Sequence, residues 1–156
     1  MSSKISLGAV IAAIFIVGAA TAPLATAAPA DDACSLLTQA QVSAALGASV
    51  GAGSYESPTF KKTCRWTVAG GAGYVTLMLE GLDAYQAGKV ALTKTIVVTL
   101  VSGIGDDAYY LAVGNNIGLI VKKGNVAFKV AVYGGAPIDK KEAIEKTLAS
   151  EAVSKL

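Results

Sequence analysis

The chain has 156 residues, with 13 Lys and Arg against 11 Asp and Glu and no histidine. A balance this close to neutral argues against a nucleic-acid partner, because phosphate contacts need clustered Lys and Arg. Without histidine, Ser-His-Asp and Cys-His nucleophile systems are ruled out, and two cysteines cannot complete a zinc site without carboxylates.

Lys4 provides a short positive start, and residues 5–20 form an apolar run of the kind that the secretion machinery reads. Pro23 then breaks the helix. Small residues follow at Ala25-Thr26-Ala27 and Ala28-Pro29-Ala30, both of A-x-A form. Cleavage is expected after Ala27, with Ala30 as second choice, since a cut after Ala28 would leave Pro29 next in line. The predicted organisation is a signal peptide over 1–27 and one domain over 28–156, exported to the periplasm or beyond. An uncleaved anchor is the rival reading, because the run approaches bilayer-spanning length. Lipid attachment at Cys34 is disfavoured by the carboxylates in Asp31-Asp32-Ala33. Removing Lys4 from the 13 basic residues leaves 12 against 11. Beyond the signal the apolar runs are only strand-length, so no further membrane span is expected.

A helix is signalled at Thr38-Gln39-Ala40-Gln41, where Thr38 caps and Gln41 reaches back. Leu36, Leu37, Val42, Ala45 and Leu46 supply its buried side, and Gly47 terminates it. Residues 48–58, rich in Gly, Ser and Ala, read as a loop. A strand over 60–68 places Cys64, Trp66 and Val68 on one face and Thr63, Arg65 and Thr67 on the other. After a turn at Gly70-Gly71-Ala72-Gly73, a strand over 74–80 turns Val75, Leu77 and Leu79 inward. Asp83 and Gln86 predict a capped helix over about 84–92. Strands follow over 95–101, 108–113, 117–123 and 126–133, the last three joined by hairpin-like links at Gly114-Asn115-Asn116 and Gly124-Asn125. A final helix begins after Pro137, with Asp139 and Glu142 as its capping pair and Ile144, Leu148, Ala152 and Leu156 as its apolar edge. The order predicts the α+β class: an antiparallel sheet of about five or six strands with helices packed on one face.

In an exported chain, Cys34 and Cys64 are expected to form a disulfide tying the first helix to the first strand. Closing about 30 residues contributes roughly 3.6 kcal/mol in the chain-entropy model. Redox dithiols sit close together at a helix start, as these do not. Trp66, on the face of Cys64, would shield the sulfurs.

No catalytic, cofactor or metal motif emerges. Adjacent Asp106 and Asp107 follow Gly103-Ile104-Gly105, but consecutive strand residues point to opposite faces and calcium needs six or more oxygens. They read as caps of backbone amides. Tyr74, Tyr110 and Tyr133 are expected on the sheet face opposite the core, and with Trp66 they form the candidate binding surface. A helix or a partner covering that face is the alternative.

Cys34-Ser35-Leu36-Leu37-Thr38, Ala45-Leu46-Gly47, Cys64-Arg65-Trp66 and the run from Gly103 to Tyr110 together resemble small bacterial envelope lipoproteins of unknown function. The resemblance implies a disulfide-linked α+β domain outside the cytoplasm, broadly similar to extracellular sensor modules of bacterial kinases. It supplies no catalytic residues and no cofactor, and the chain departs from it in lacking a lipobox. The expected function is non-enzymatic binding of a small apolar ligand, a peptide or another envelope component. Two alternatives remain: an interaction or inhibitor module acting on another exported protein through residues 48–58, and a hydrolase using Ser, Lys and Asp. Neither ligand nor oligomeric state is legible.

Overall fold

The computed structural model describes residues 31–156 apart from Ala72 and Leu92; the segment expected to be a signal peptide, with its cleavage positions, lies outside the described residues. A single 3₁₀ turn over Ala33–Ser35 comes first, and Asp32 caps it by accepting from the Cys34 N–H at 3.0 Å. The first helix, α1 (Gln39–Leu46), begins with the expected reciprocal cap. Thr38 Oγ1 accepts from the Gln41 N–H while Gln41 Oε1 accepts from the Thr38 N–H at 2.9 Å. Gly47 ends it at φ 66°, a conformation a side chain would oppose.

Among the described residues seven strands follow: β1 (Ser54–Ser57), β2 (Phe60–Thr67), β3 (Gly73–Glu80), β4 (Ile96–Val101), β5 (Asp107–Val113), β6 (Asn116–Lys123) and β7 (Val126–Gly134). Between β3 and β4 lies α2 (Leu82–Lys89), and α3 (Ile138–Val153) follows β7. All pairing is antiparallel, in the order β1-β2-β3-β7-β6-β5-β4. The class is α+β as expected, with seven strands rather than five or six. The additional strand is β1, inside the segment read as a loop. Its register with β2 slips between Tyr55 and Ser57, which is why no clean alternation marks it.

Two capping expectations are corrected. Helix α2 is capped by Gly81 and not by the Asp83 side chain, and it ends at Lys89. Helix α3 has Pro137 at its cap, and Asp139 lies within its first turn. In both, the carboxylate sits near the positive end of the helix without capping it.

The core lies on one face of the sheet. There Trp66, Val75, Leu77, Tyr110, Leu119, Val121, Phe128 and Val130 pack against Leu36, Leu37 and Val42 near the N-terminus and Ile144, Leu148 and Ala152 of α3. The Cys34–Cys64 disulfide is formed, with Cα atoms 5.0 Å apart. It joins β2, the strand expected to carry Cys64, to the 3₁₀ turn that precedes α1 rather than to the helix itself. Gly53 crosses directly above it: a Cβ there would lie 2.9 Å from Cys64 Sγ and 2.7 Å from Trp66 Nε1. No helix among the described residues is long and apolar enough to cross a membrane.

The helices do not share one face. While α1 and α3 cover the core face, α2 packs on the other, where Tyr85 meets Tyr109, Ile120 and Ala127. The Tyr109 hydroxyl donates to the Tyr85 carbonyl at 2.9 Å. Gly88 permits this approach, because the hydroxyl occupies the space that a side chain at that position would need. An ion pair between Lys89 and Asp107 ties the end of α2 to β5.

Candidate functional site

With only eight residues, α2 covers the β5-β6-β7 portion of the second face and leaves the β2-β3-β7 portion open. Strand alternation determines which side chains face that way, most of them half-buried and Thr63 buried. β2 presents Thr63 and Arg65, β3 presents Tyr74, Thr76 and Met78, and β7 presents Lys129 and Tyr133. With Glu56 of β1 these residues line a shallow cleft of about 270 Å³.

Tyr74 and Tyr133 are directly opposite in the β3–β7 ladder, and their rings stack at 4.5 Å between centroids with 18° between planes. The Arg65 guanidinium lies 4.2 Å from the Tyr74 centroid on the other side and is ion-paired to Glu56. Four side chains from four strands thus form one row, carboxylate to guanidinium to ring to ring. Each contact constrains the next: the salt bridge orients Arg65, whose plane then supports Tyr74 by cation–π attraction. Burial, and then the neighbouring Tyr74, push the Tyr133 phenol above its ordinary value, so it stays a neutral donor and acceptor. Such a row presents ring edges, hydroxyls and flanking charges to solvent without an enclosed apolar hole.

Of the four residues expected at a binding surface, the structure brings two together. Tyr110 lies on the core face, because the register pairs it with Thr99 and with Leu119. Its hydroxyl donates to the Glu142 carbonyl at 2.7 Å, securing α3. Trp66 is only 1% exposed and is sealed beside the disulfide. Arg65 and Glu56 were absent from the expected surface, although the parity that put Arg65 opposite Cys64 already assigned it to this face.

Asp106, Asp107 and Lys141 are occupied by structural contacts. Asp106 accepts from the Gly124 N–H at 2.7 Å and from Lys123 at 3.0 Å, the first of which chiefly holds its carboxyl below the usual range. It therefore caps a backbone amide, as expected, whereas Asp107 serves the α2 ion pair. Lys141 is buried and donates to the Asn115 carbonyl at 3.1 Å, and no serine lines the cleft beside it. No group of three or more His, Cys, Asp or Glu among the described residues is placed to hold a metal ion.

Glu145 of α3 is the unexpected group. It is fully buried, and its Oε1 accepts from the Val132 N–H at 2.9 Å, just past the point where the β6–β7 ladder ends at Leu119 and Val130. Its Oε2 has no partner among the described residues. Burial pushes its carboxyl up to about 8, outweighing the Val132 hydrogen bond, so at neutral pH it is protonated. A signal was available: Lys141, Glu145, Leu148 and Ala152 recur at helical spacing, in line with the apolar edge.

No protein-family model matches the chain, and neither a curated protein nor a solved structure matches it significantly.

Proposed function

We propose that this is an exported, non-catalytic domain that binds a component of the bacterial envelope, a glycan or a peptide segment, on the open half of its sheet. The observation that supports the reading most is the stacked Tyr74–Tyr133 pair, braced by Arg65 and Glu56 and left uncovered beside α2. Aromatic side chains with polar tips, held by neighbours before a ligand arrives, supply contact area at low entropic cost. A small apolar molecule suits a mixed cleft with Thr63, Thr76, Lys129 and Glu56 less well than a glycan or a peptide. The disulfide and the apolar N-terminal run support export. The resemblance to envelope lipoproteins agrees with that setting.

The test is native mass spectrometry on the protein purified after export. A bound component should be retained by the natural protein and by Tyr110→Phe, and lost in the Tyr74→Ala/Tyr133→Ala double variant. Retention by the double variant would place the site elsewhere. The alternative through residues 48–58 is weakened by how firmly that segment is held. Val50 bridges Val68, Tyr55 donates to Asp32 at 2.8 Å, and Gly53 lies on the disulfide.

A further inference from the structure

The two edges of the sheet differ in a way that the binding face does not explain. Edge strand β1 has four residues, a slipped register, an ion-paired Glu56 and Pro58 directly after it. These are the features that discourage a sheet from extending. Edge strand β4 has none of them. It runs for six residues as Ile96-Val97-Val98-Thr99-Leu100-Val101, pairs regularly with β5, and carries no charge, proline or bulge. Leu100 is 68% exposed and Val97 58%, so apolar side chains emerge on both faces of a strand whose outer backbone groups have no strand beside them.

We propose that β4 pairs antiparallel with β4 of a second copy, joining two sheets into one of fourteen strands across a two-fold axis near Val98. The occupant is argued from self-complementarity. About Val98 the strand reads nearly the same in both directions: Ile96 of one copy meets Leu100 of the other, Val97 meets Thr99, and Val98 meets itself. Ile96, Val98 and Leu100 lie on the side of α2, where Val98 and Leu111 already pack against the Tyr85–Tyr109 cluster, so the new pairs extend an existing apolar layer. Lys94, the nearest flanking charge, falls opposite Ser102 of the other copy, so no like charges meet. A charged or proline-rich partner would find no complement on this strand. Each edge is used once, so the pairing closes at a dimer. A six-residue edge buries less than the roughly 1,200–2,000 Å² of a standard stable interface, so micromolar affinity is expected.

Sedimentation of the exported protein from low to high micromolar concentration tests this. A concentration-dependent dimer is expected, weakened at least about tenfold in the Val97→Lys/Leu100→Lys variant, whose exposed positions leave the β4–β5 ladder intact. A monomer throughout overturns the proposal. So does a dimer untouched by the two lysines, or an open-ended series of oligomers. Should the variant not fold, hydrogen exchange on the unmodified protein decides. Slowing of β4 amides with concentration supports the pairing, and rates independent of concentration refute it.

Discussion

Glu145→Gln should stabilise this protein at neutral pH, although it removes a hydrogen-bonded carboxyl from the centre of the fold. In the folded state the Glu145 carboxyl titrates at about 8 against an ordinary 4.5, so folding takes up a proton between those values. At pH 7, keeping that proton on costs about 3 kcal/mol, because each pH unit above the ordinary value is worth about 1.36 kcal/mol. Glutamine fits the same space and still offers an oxygen to the Val132 N–H. Its extra amide hydrogen has no acceptor among the described residues and costs about 1 kcal/mol, leaving about 2 kcal/mol net. The sign follows from the raised value. The stabilisation held by protonated Glu145 is complete below about pH 4.5, falls as the pH rises, and is exhausted above about pH 8. Urea denaturation of both proteins across that range would measure it: at pH 4, where only the unpaired amide counts, the variant should be about 1 kcal/mol the less stable, and it should overtake the natural protein and draw ahead by about 1.36 kcal/mol per pH unit toward pH 8. Glu80 is also pushed up by burial, so part of the natural protein's slope is its own, but that part cancels in the comparison. A variant equally destabilised at every pH would refute the reasoning, since it would mean Glu145 is ionised and held by charge.

Further outcomes follow from the same contacts. Reducing the Cys34–Cys64 disulfide, which closes 30 residues, should lower stability by about 3 kcal/mol, read from Trp66 fluorescence in denaturant. Gly53→Ala should cost about 1–3 kcal/mol, because its Cβ would press on the indole and the sulfur; a calorimetric Tm unchanged from the natural protein would contradict that packing. Acid should act oppositely to alkali. Asp31, Asp106 and Asp107 are held below the ordinary carboxylate value by Lys62, by Gly124 with Lys123 and by Lys89, so their contribution is present at neutral pH and fades as pH falls below that value. Circular dichroism from pH 5 downward would follow the loss.

Much of the fold was legible because local chemistry and global packing agree. The Thr38–Gln41 cap, Gly47 and the Cys64/Trp66 parity each have one physical reading, and each is realised. Legibility failed where both faces of an element are buried. Strand β5 runs Ala108-Tyr109-Tyr110-Leu111 with no polar alternation, since α2 covers one face and α3 the other, so sequence parity could not assign Tyr110. It failed again at β1, whose bulge erases periodicity, and at Glu145, where a carboxyl occupies a core position that composition alone makes improbable. The candidate site was half legible for a related reason. Cross-strand stacking depends on register, and Tyr74 meets Tyr133 only because β7, not β4, is the neighbour of β3.

The claim that the open sheet half is a binding face is tested most directly by amide chemical shifts. The purified protein would be titrated with a soluble digest of bacterial cell wall, then with its glycan and peptide fractions separately. Shifts concentrated at Arg65, Tyr74, Thr76, Met78, Lys129 and Tyr133, and absent in the Tyr74→Ala/Tyr133→Ala variant, are predicted. Shifts gathered between α1 and α3 instead, or none with any fraction, would contradict the account.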